Sequence, residues 1–330
     1  MSAPRRWLRY FAPLASIAIL AIALNALRHL LAAVSLSDVL EAFRHVAPSR
    51  IALSLLFAAA GYAALVAYDV LAFSHEGTRI TLRRTVLTSF IANALSQSLG
   101  FTVILGGAVR YRMYSAWGLD GRQIAQSVAF TGITLWLGVL TVGGVVLATD
   151  PRATPAMLHL HVPSLRPIGW ACLAIVAAYL ALAAVRRAPI VVRGRAFEPP
   201  SLGVALTQVG LSSVDWILMG SVLYVFLPPE SHVPFLSFIG IFLLGMTASL
   251  ISHVPGGLGV FDAIAVALLA PWAPAAAVVA SLVAYRVVYY ILPLATGLVC
   301  LALYETDRRR TRDRRAAPRP ASPRRAGERP

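Results

Sequence analysis

The sequence predicts an all-α, polytopic transmembrane helix bundle of six to eight spans, with two re-entrant broken hairpins arranged as an inverted repeat. Three observations carry that prediction. Of the 330 residues 58% are apolar and 13% charged, long apolar runs recur along the chain, and the arginines are divided unevenly among the connecting loops. With a mean hydropathy of +0.73, the chain has more apolar surface than one water-facing core can hide. A soluble enzyme, a disordered chain and a disulfide-stapled secreted domain are thereby excluded.

Apolar runs at 11–31, 51–73, 86–107, 124–148, 168–185, 202–227, 234–254 and 275–304 each meet or approach the roughly 20 residues that a helix needs to cross hydrocarbon. A ninth, 258–270, is too short to span unaided. The first run follows Arg5, Arg6 and Arg9; its length reads as an uncleaved span rather than a signal peptide. Cys172 and Cys300 fall inside apolar runs and indicate no disulfide framework.

All 29 basic residues are arginine, and the net charge is +15. Short cytoplasmic loops hold the excess of such residues. If the eight long runs simply cross in turn, 18 arginines face the cytoplasm and 9 the exterior, and the Arg186, Arg187, Arg193, Arg195 connector lies on the wrong side. If instead 86–109 turns back to the cytoplasm and 234–270 turns back to the exterior, the division becomes 23 against 4. That arrangement has six crossings and both termini in the cytoplasm. The membrane domain is then 1–304, and 305–330 reads as a disordered Arg/Pro-rich tail, held at anionic lipid and not at nucleic acid.

The two turning segments resemble each other. SQSLGFTVILGGAVRYRMY from Ser96 and SLISHVPGGLGVFDAIAV from Ser249 each contain a helix, a small polar stretch and a Gly-Gly pair, 150 residues apart. Paired interruptions in two halves point to a substrate site. In the second, Pro255 ends a helix, Gly256, Gly257 and Gly259 bare the backbone, and a new helix opens near Val260 with an N-terminus suited to an anion. Close packing at a tight interhelical turn is the other reading of the same glycines.

Ionisable groups within apolar runs mark pathways. Asp215 and Arg286 lie near the middle of their runs, Asp69 and Asp262 toward the ends of theirs. Carboxylates and arginine could line a polar cavity for a charged or zwitterionic head group, or merely pair, Asp215 with Arg286 above all, to hold the bundle. Arg110 and Arg112 add phosphate-binding capacity after the first Gly-Gly pair, or anchor the interface. Tyr285, Tyr289 and Tyr290 flank Arg286 where Pro293 should kink the helix. No H-E-x-x-H, G-x-S-x-G or P-loop is present, and His159 and His161 lack a third ligand. No enzymatic activity, metal or cofactor is therefore expected. Asp262 stands three residues beyond Gly259, which does not reproduce the spacing of an intramembrane aspartyl protease.

The runs VPGGLGVFDAIAVALL (254–269), AYRVVYYILPL (284–294) and GGAVRYRMY (106–114) resemble the membrane (flippase) region of MprF-type lysylphosphatidylglycerol synthases and the UPF0104/YbhN-like proteins, from about Arg9 to Tyr304. The resemblance implies a multi-pass bacterial inner-membrane protein that moves a lipid, anionic or aminoacylated, between leaflets without ATP hydrolysis. In the two-domain relatives a separate soluble domain makes the aminoacylated lipid; these 330 residues contain no counterpart, so transferase activity is not expected of them. Carried over position by position, Asp69, Arg112, Asp215 and Asp262 match the family's polar membrane positions, and Pro255 to Gly257 its Pro-Gly-Gly. The first hairpin departs, with Ile104-Leu105 before its Gly-Gly where a proline is expected. The resulting expectation has Asp215 and Asp262 facing cationic head-group atoms, Arg286 and Arg112 the phosphate, and Tyr289 shaping the pocket. Membrane lipids are the expected partners, with self-association or a lipid-synthesising enzyme beside them. A non-transporting scaffold or regulator of lipid synthesis and a proton-coupled carrier of a small solute are the alternative functions.

Overall fold

The computed structural model describes residues 36–44, 46–99, 102–149, 164–186, 190–192, 195–197, 199–252 and 259–316. They form a polytopic helical membrane bundle. In chain order the helices are α1 (Leu36–Arg44), α2 (Pro48–His75), α3 (Leu82–Leu99), α4 (Thr102–Ala116), α5 (Gly121–Thr149), α6 (Arg166–Val185), α7 (Leu202–Tyr224), α8 (Phe235–Ser252), α9 (Val260–Leu269), α10 (Ala275–Arg286) and α11 (Leu292–Ala316). A π-helical segment, Val287–Ile291, joins α10 to α11. The expected first span at 11–31, the His159 and His161 loop, the Pro255-Gly256-Gly257 turn and residues 317–330 lie outside the described residues.

Five segments are long and apolar enough to cross a membrane: α2, α5, α6, α7 and the continuous stretch Ala275–Arg308. They coincide with five of the six crossings that the arginine distribution favours. The two remaining apolar regions are helical hairpins, α3 against α4 and α8 against α9. With 15 residues in α4 and 10 in α9, those arms reach only about 22 Å and 15 Å at the α-helical rise, short of the roughly 30 Å hydrocarbon core. On the periphery, α6 leaves Ile168, Trp170, Ile175, Leu182 and Val185 exposed, as a helix does when lipid is its solvent.

Between the spans, small residues let backbones touch. A Cβ on Gly169 would sit 2.6 Å from the Ala148 nitrogen and 2.8 Å from the Gly144 carbonyl oxygen, and one on Gly138 would sit 2.7 Å from the Ser212 oxygen. Helices α5, α6 and α7 therefore pack at backbone contact. They are tied further by Tyr179, whose hydroxyl donates to Gln208 Oε1 (2.5 Å), and by Gln208 Nε2, which donates to Thr134 Oγ1 (2.7 Å). Gly169→Ala is expected to destabilise the protein by about 1–3 kcal/mol, the cost of forcing packed backbones apart. Gly203→Ala, where a Cβ meets only Ser201 Oγ at 4.0 Å, should leave the thermal midpoint nearly unchanged.

Two local features differ from the sequence expectation. The 186–201 connector contains a two-stranded antiparallel ladder, Ile190–Val192 with Arg195–Phe197, a small addition to the all-α reading. Residues 305–316, expected to belong to the disordered tail, continue α11 as helix. Arginine and alanine are good helix formers, and the next proline after Pro293 is Pro318.

Candidate functional site

Helix α2 carries Tyr68 and Asp69 side by side, and their side chains go to different partners. Asp69, wholly buried, accepts from Arg110 Nε at 3.1 Å through each carboxylate oxygen. Arg110 comes from α4, the second arm of the first hairpin. Gly106, one turn earlier, makes room for it: a Cβ there would lie 3.1 Å from Arg110 Nη1 and 3.3 Å from Ser96 Oγ. The other glycine of the pair, Gly107, meets nothing within 4 Å. Asn93 Oδ1 also accepts from the guanidinium, at 3.4 Å, and Asn93 is steadied by donating to Ser89 Oγ at 3.1 Å.

The second hairpin is fastened in the same way with the charges exchanged. Asp262, in the first turn of α9, accepts the Gly259 N–H at 2.9 Å through Oδ2 and, through the same oxygen, a hydrogen bond from Arg286 at the end of α10. Gly259 has φ +83°, a left-handed conformation that glycine adopts without strain. Each hairpin is thus clamped to a membrane span by an arginine–carboxylate pair, with arginine on the hairpin in one and aspartate on the hairpin in the other.

Between the clamps lie Asp215 and a group of tyrosines. The Tyr68 hydroxyl donates to Asp215 Oδ2 at 2.9 Å, while Asp215 Oδ1 is buried with no hydrogen-bond partner among the described residues. A Cβ on Gly61 would be 3.9 Å from that oxygen and 3.9 Å from the Tyr289 ring, so Asp215 and Tyr289 border one spot. Tyr285 and Tyr289 stack, with centroids 5.6 Å apart and planes 10° from parallel. Pro293 has no N–H to give to the Tyr289 carbonyl four residues back. The local winding becomes π, with the Leu292 N–H bonded to the Val287 oxygen. The released Tyr289 carbonyl accepts from the Tyr62 hydroxyl at 3.2 Å, so a neighbouring helix satisfies it in place of water.

With this geometry in view, similarity to known proteins places the chain. The family described as the lysylphosphatidylglycerol synthase TM region matches residues 13–297. The chain belongs to that family. Among its relatives, slr0712 of Synechocystis sp. (strain ATCC 27184 / PCC 6803 / Kazusa) is 38% identical over 84% of this chain and 86% of its own. The inner membrane protein YbhN of Escherichia coli (strain K12) is 32% identical over 76% of this chain and 78% of its own. A phosphatidylglycerol lysyltransferase of Staphylococcus xylosus is 28% identical over 81% of this chain but only 31% of its own length. This chain thus spans about a third of that larger enzyme.

Within this lysylphosphatidylglycerol synthase TM-region protein, the structure sorts the residues singled out by sequence. It joins Asp69 to Arg110 and joins Asp262 and Gly259 to Arg286, with Asp215 and Tyr289 between. The contemplated pair of Asp215 with Arg286 does not form, because Arg286 is taken by Asp262. Arg112 stands apart from the cluster and donates to Glu305 on α11 at 2.8 Å, where it straps the first hairpin to the last span. Pro255, Gly256 and Gly257 lie outside the described residues. Sequence reasoning missed Tyr62, Asn93 and Gln97, whose Nε2 lies 3.5 Å from the Tyr289 hydroxyl. A signal was present: Ser89, Asn93 and Gln97 recur every four residues and form one polar stripe on an apolar helix.

At the end of α2, outside the span, burial pushes the half-buried Glu76 carboxyl up to about 7 from 4.5. A hydrogen bond with Thr78 pulls the other way, and nearby Asp120 reinforces the rise. The folded protein therefore holds this proton more tightly than the unfolded chain does. The associated stability is complete below about pH 4.5 and is lost as pH rises through about 7. Glu76→Gln should match the wild-type thermal midpoint in acid and exceed it above neutrality; a constant offset across that window would contradict this.

Proposed function

We infer that this protein moves a polar-headed lipid between the two leaflets of the bacterial inner membrane without making or breaking covalent bonds. The observation that supports this reading is the pair of oppositely arranged arginine–carboxylate clamps, each fixing a short hairpin to a span. Ion pairs withdrawn from water gain little or nothing in stability over apolar packing, and charges inside a bilayer are kept where something charged must pass. A phospholipid head group offers the clamps substitute partners: its phosphate can replace a carboxylate on Arg110 or Arg286, and an ammonium group can replace arginine on Asp69 or Asp262. Exchange of partners frees one hairpin at a time. Alternate release of hairpins that open to opposite faces would expose the site first to one leaflet and then to the other.

In this reading the hairpins are re-entrant, both termini are cytoplasmic, and the Arg-rich end of α11 rests on the anionic inner surface. Relatedness to phosphatidylglycerol lysyltransferases favours phosphatidylglycerol or its aminoacylated form as cargo. Vesicles containing the purified protein and head-group-labelled lipids test the reading. Faster exposure of inner-leaflet label to an impermeant quencher than in protein-free vesicles is expected. Equal rates for anionic, aminoacylated and isoprenoid lipids alike would overturn it.

A further inference from the structure

Asp215 differs from the two clamp carboxylates. Asp69 and Asp262 each have an arginine, whereas among the described residues Asp215 has a single hydrogen bond, from Tyr68, and no cation. It is 4% exposed, and Oδ1 has no partner among those residues. A carboxylate so placed, in a protein surrounded by lipid, is strongly disfavoured in its charged form.

The neighbours of Asp215 identify what would relieve it. From α2 come Tyr68, Tyr62 and, committed to Arg110, Asp69. From the π segment come Tyr289 and Tyr290. Helix α10 contributes Tyr285 and Arg286, and Arg286 is committed to Asp262. Helix α6 offers Tyr179, bonded to Gln208, Cys172, and Arg166 at its first residue, while α5 has only Arg122, in its first turn. Helix α8 has no titratable side chain. Also on α2, Arg50 donates to the Leu227 carbonyl and His75 is the last residue of the helix; among the described residues no basic group pairs with Asp215. Nor, among the described residues, do three or more His, Cys, Asp or Glu side chains gather that could hold a metal cation, and a hard cation needs several oxygen ligands. A proton needs only the carboxylate oxygen.

We propose that Asp215 is a proton-binding site coupled to the movement of the two hairpins. Protonation forms an O–H bond at Oδ1 with a proton taken from hydronium, leaves water behind, and removes the uncompensated negative charge between the clamps. With Asp69 and Arg110 cancelling, and Asp262 and Arg286 cancelling, the core changes from a net charge of one negative to neutral. The change is transmitted along short routes. Tyr68 adjoins Asp69 on α2, and Tyr289 lies one turn beyond Arg286. The coupling rests on the translocation reading; proton binding at Asp215 does not.

Two measurements separate these levels. First, infrared difference spectra of the purified protein in lipid are recorded from about pH 5 to about pH 9. A protonated-carboxyl C=O band that fades as pH rises and is absent from Asp215→Asn is expected. Absence of a titrating band in the wild type, or its persistence in Asp215→Asn, overturns the proposal. Should that variant fail to fold, Asp215→Glu serves: a shifted midpoint supports the assignment and an unchanged one refutes it. Second, exchange of labelled phosphatidylglycerol is measured in vesicles at two pH values a unit or so apart. The wild-type rates should differ, by at most about tenfold per pH unit for a single proton, and the ratio should fall to about one in Asp215→Asn. Lipid movement with the same ratio in both proteins refutes coupling. A band that titrates as expected in a protein that moves no lipid would leave the proton site standing and overturn the translocation reading alone.

Discussion

Arg110→Ala is expected to destabilise the protein by about 3–5 kcal/mol, because it leaves Asp69 buried and charged with no cation. The carboxylate is wholly inaccessible, and Tyr68 beside it is already turned toward Asp215. Asn93, whose Oδ1 faces the arginine and whose Nδ2 is given to Ser89, brings no positive charge to replace it. The cost should be largely recovered in Asp69→Asn/Arg110→Gln, where neither residue is charged and both can hydrogen bond. Thermal unfolding in detergent of the wild type, Asp69→Asn, Arg110→Gln and the double variant gives the cycle: a coupling energy near zero would show that the two side chains do not act as a pair.

Asp262→Ala is expected to have the second-largest effect, and for two separable reasons. Asp262 Oδ2 accepts both from Gly259 N–H, at the start of α9, and from Arg286. Alanine removes the cap and the counter-charge together. Asparagine retains an oxygen for Gly259 but not the charge, so the difference between the two variants isolates the cap, at about 1 kcal/mol. The remaining loss reports Arg286 stranded at 8% exposure. It should be smaller than at Asp69, because the Asp262 side chain is 28% exposed and water screens part of the interaction. Lipid exchange should fall to the protein-free rate in both variants. If Asp262→Asn matches Asp262→Ala in stability, the capping role is wrong.

Much of this architecture could be read from the sequence, because the bilayer imposes a length on each crossing and the positive-inside tendency constrains its direction. The runs near 51–73 and 275–304 stood out for those reasons. The Gly-Gly pairs pointed to the hairpins, but Gly106 and Gly107 lie inside α4, which begins at Thr102, and not between α3 and α4. Side-chain pairing could not be read. Arg110 reaches Asp69 across 41 positions of sequence and Arg286 reaches Asp262 across 24, and nothing local to Asp215 distinguishes an aspartate paired with arginine from one held by tyrosine. The ladder at 190–197 left a readable sign, the three β-branched residues Ile190, Val191 and Val192 in succession. The helical start of the tail was obscured by its charge, although charge alone does not forbid a helix that begins within the membrane. The π segment follows from Pro293, but only the structure shows that Tyr62 receives the freed carbonyl.

The central claim is that charge at the clamps is retained for passage of a head group and not for folding. It is tested most directly by measuring labelled phosphatidylglycerol exchange in vesicles containing Asp69→Asn/Arg110→Gln, verified as folded by its unfolding transition. A folded protein whose exchange rate equals that of protein-free vesicles is the expected result. A folded double variant that moves lipid as fast as the wild type would contradict it.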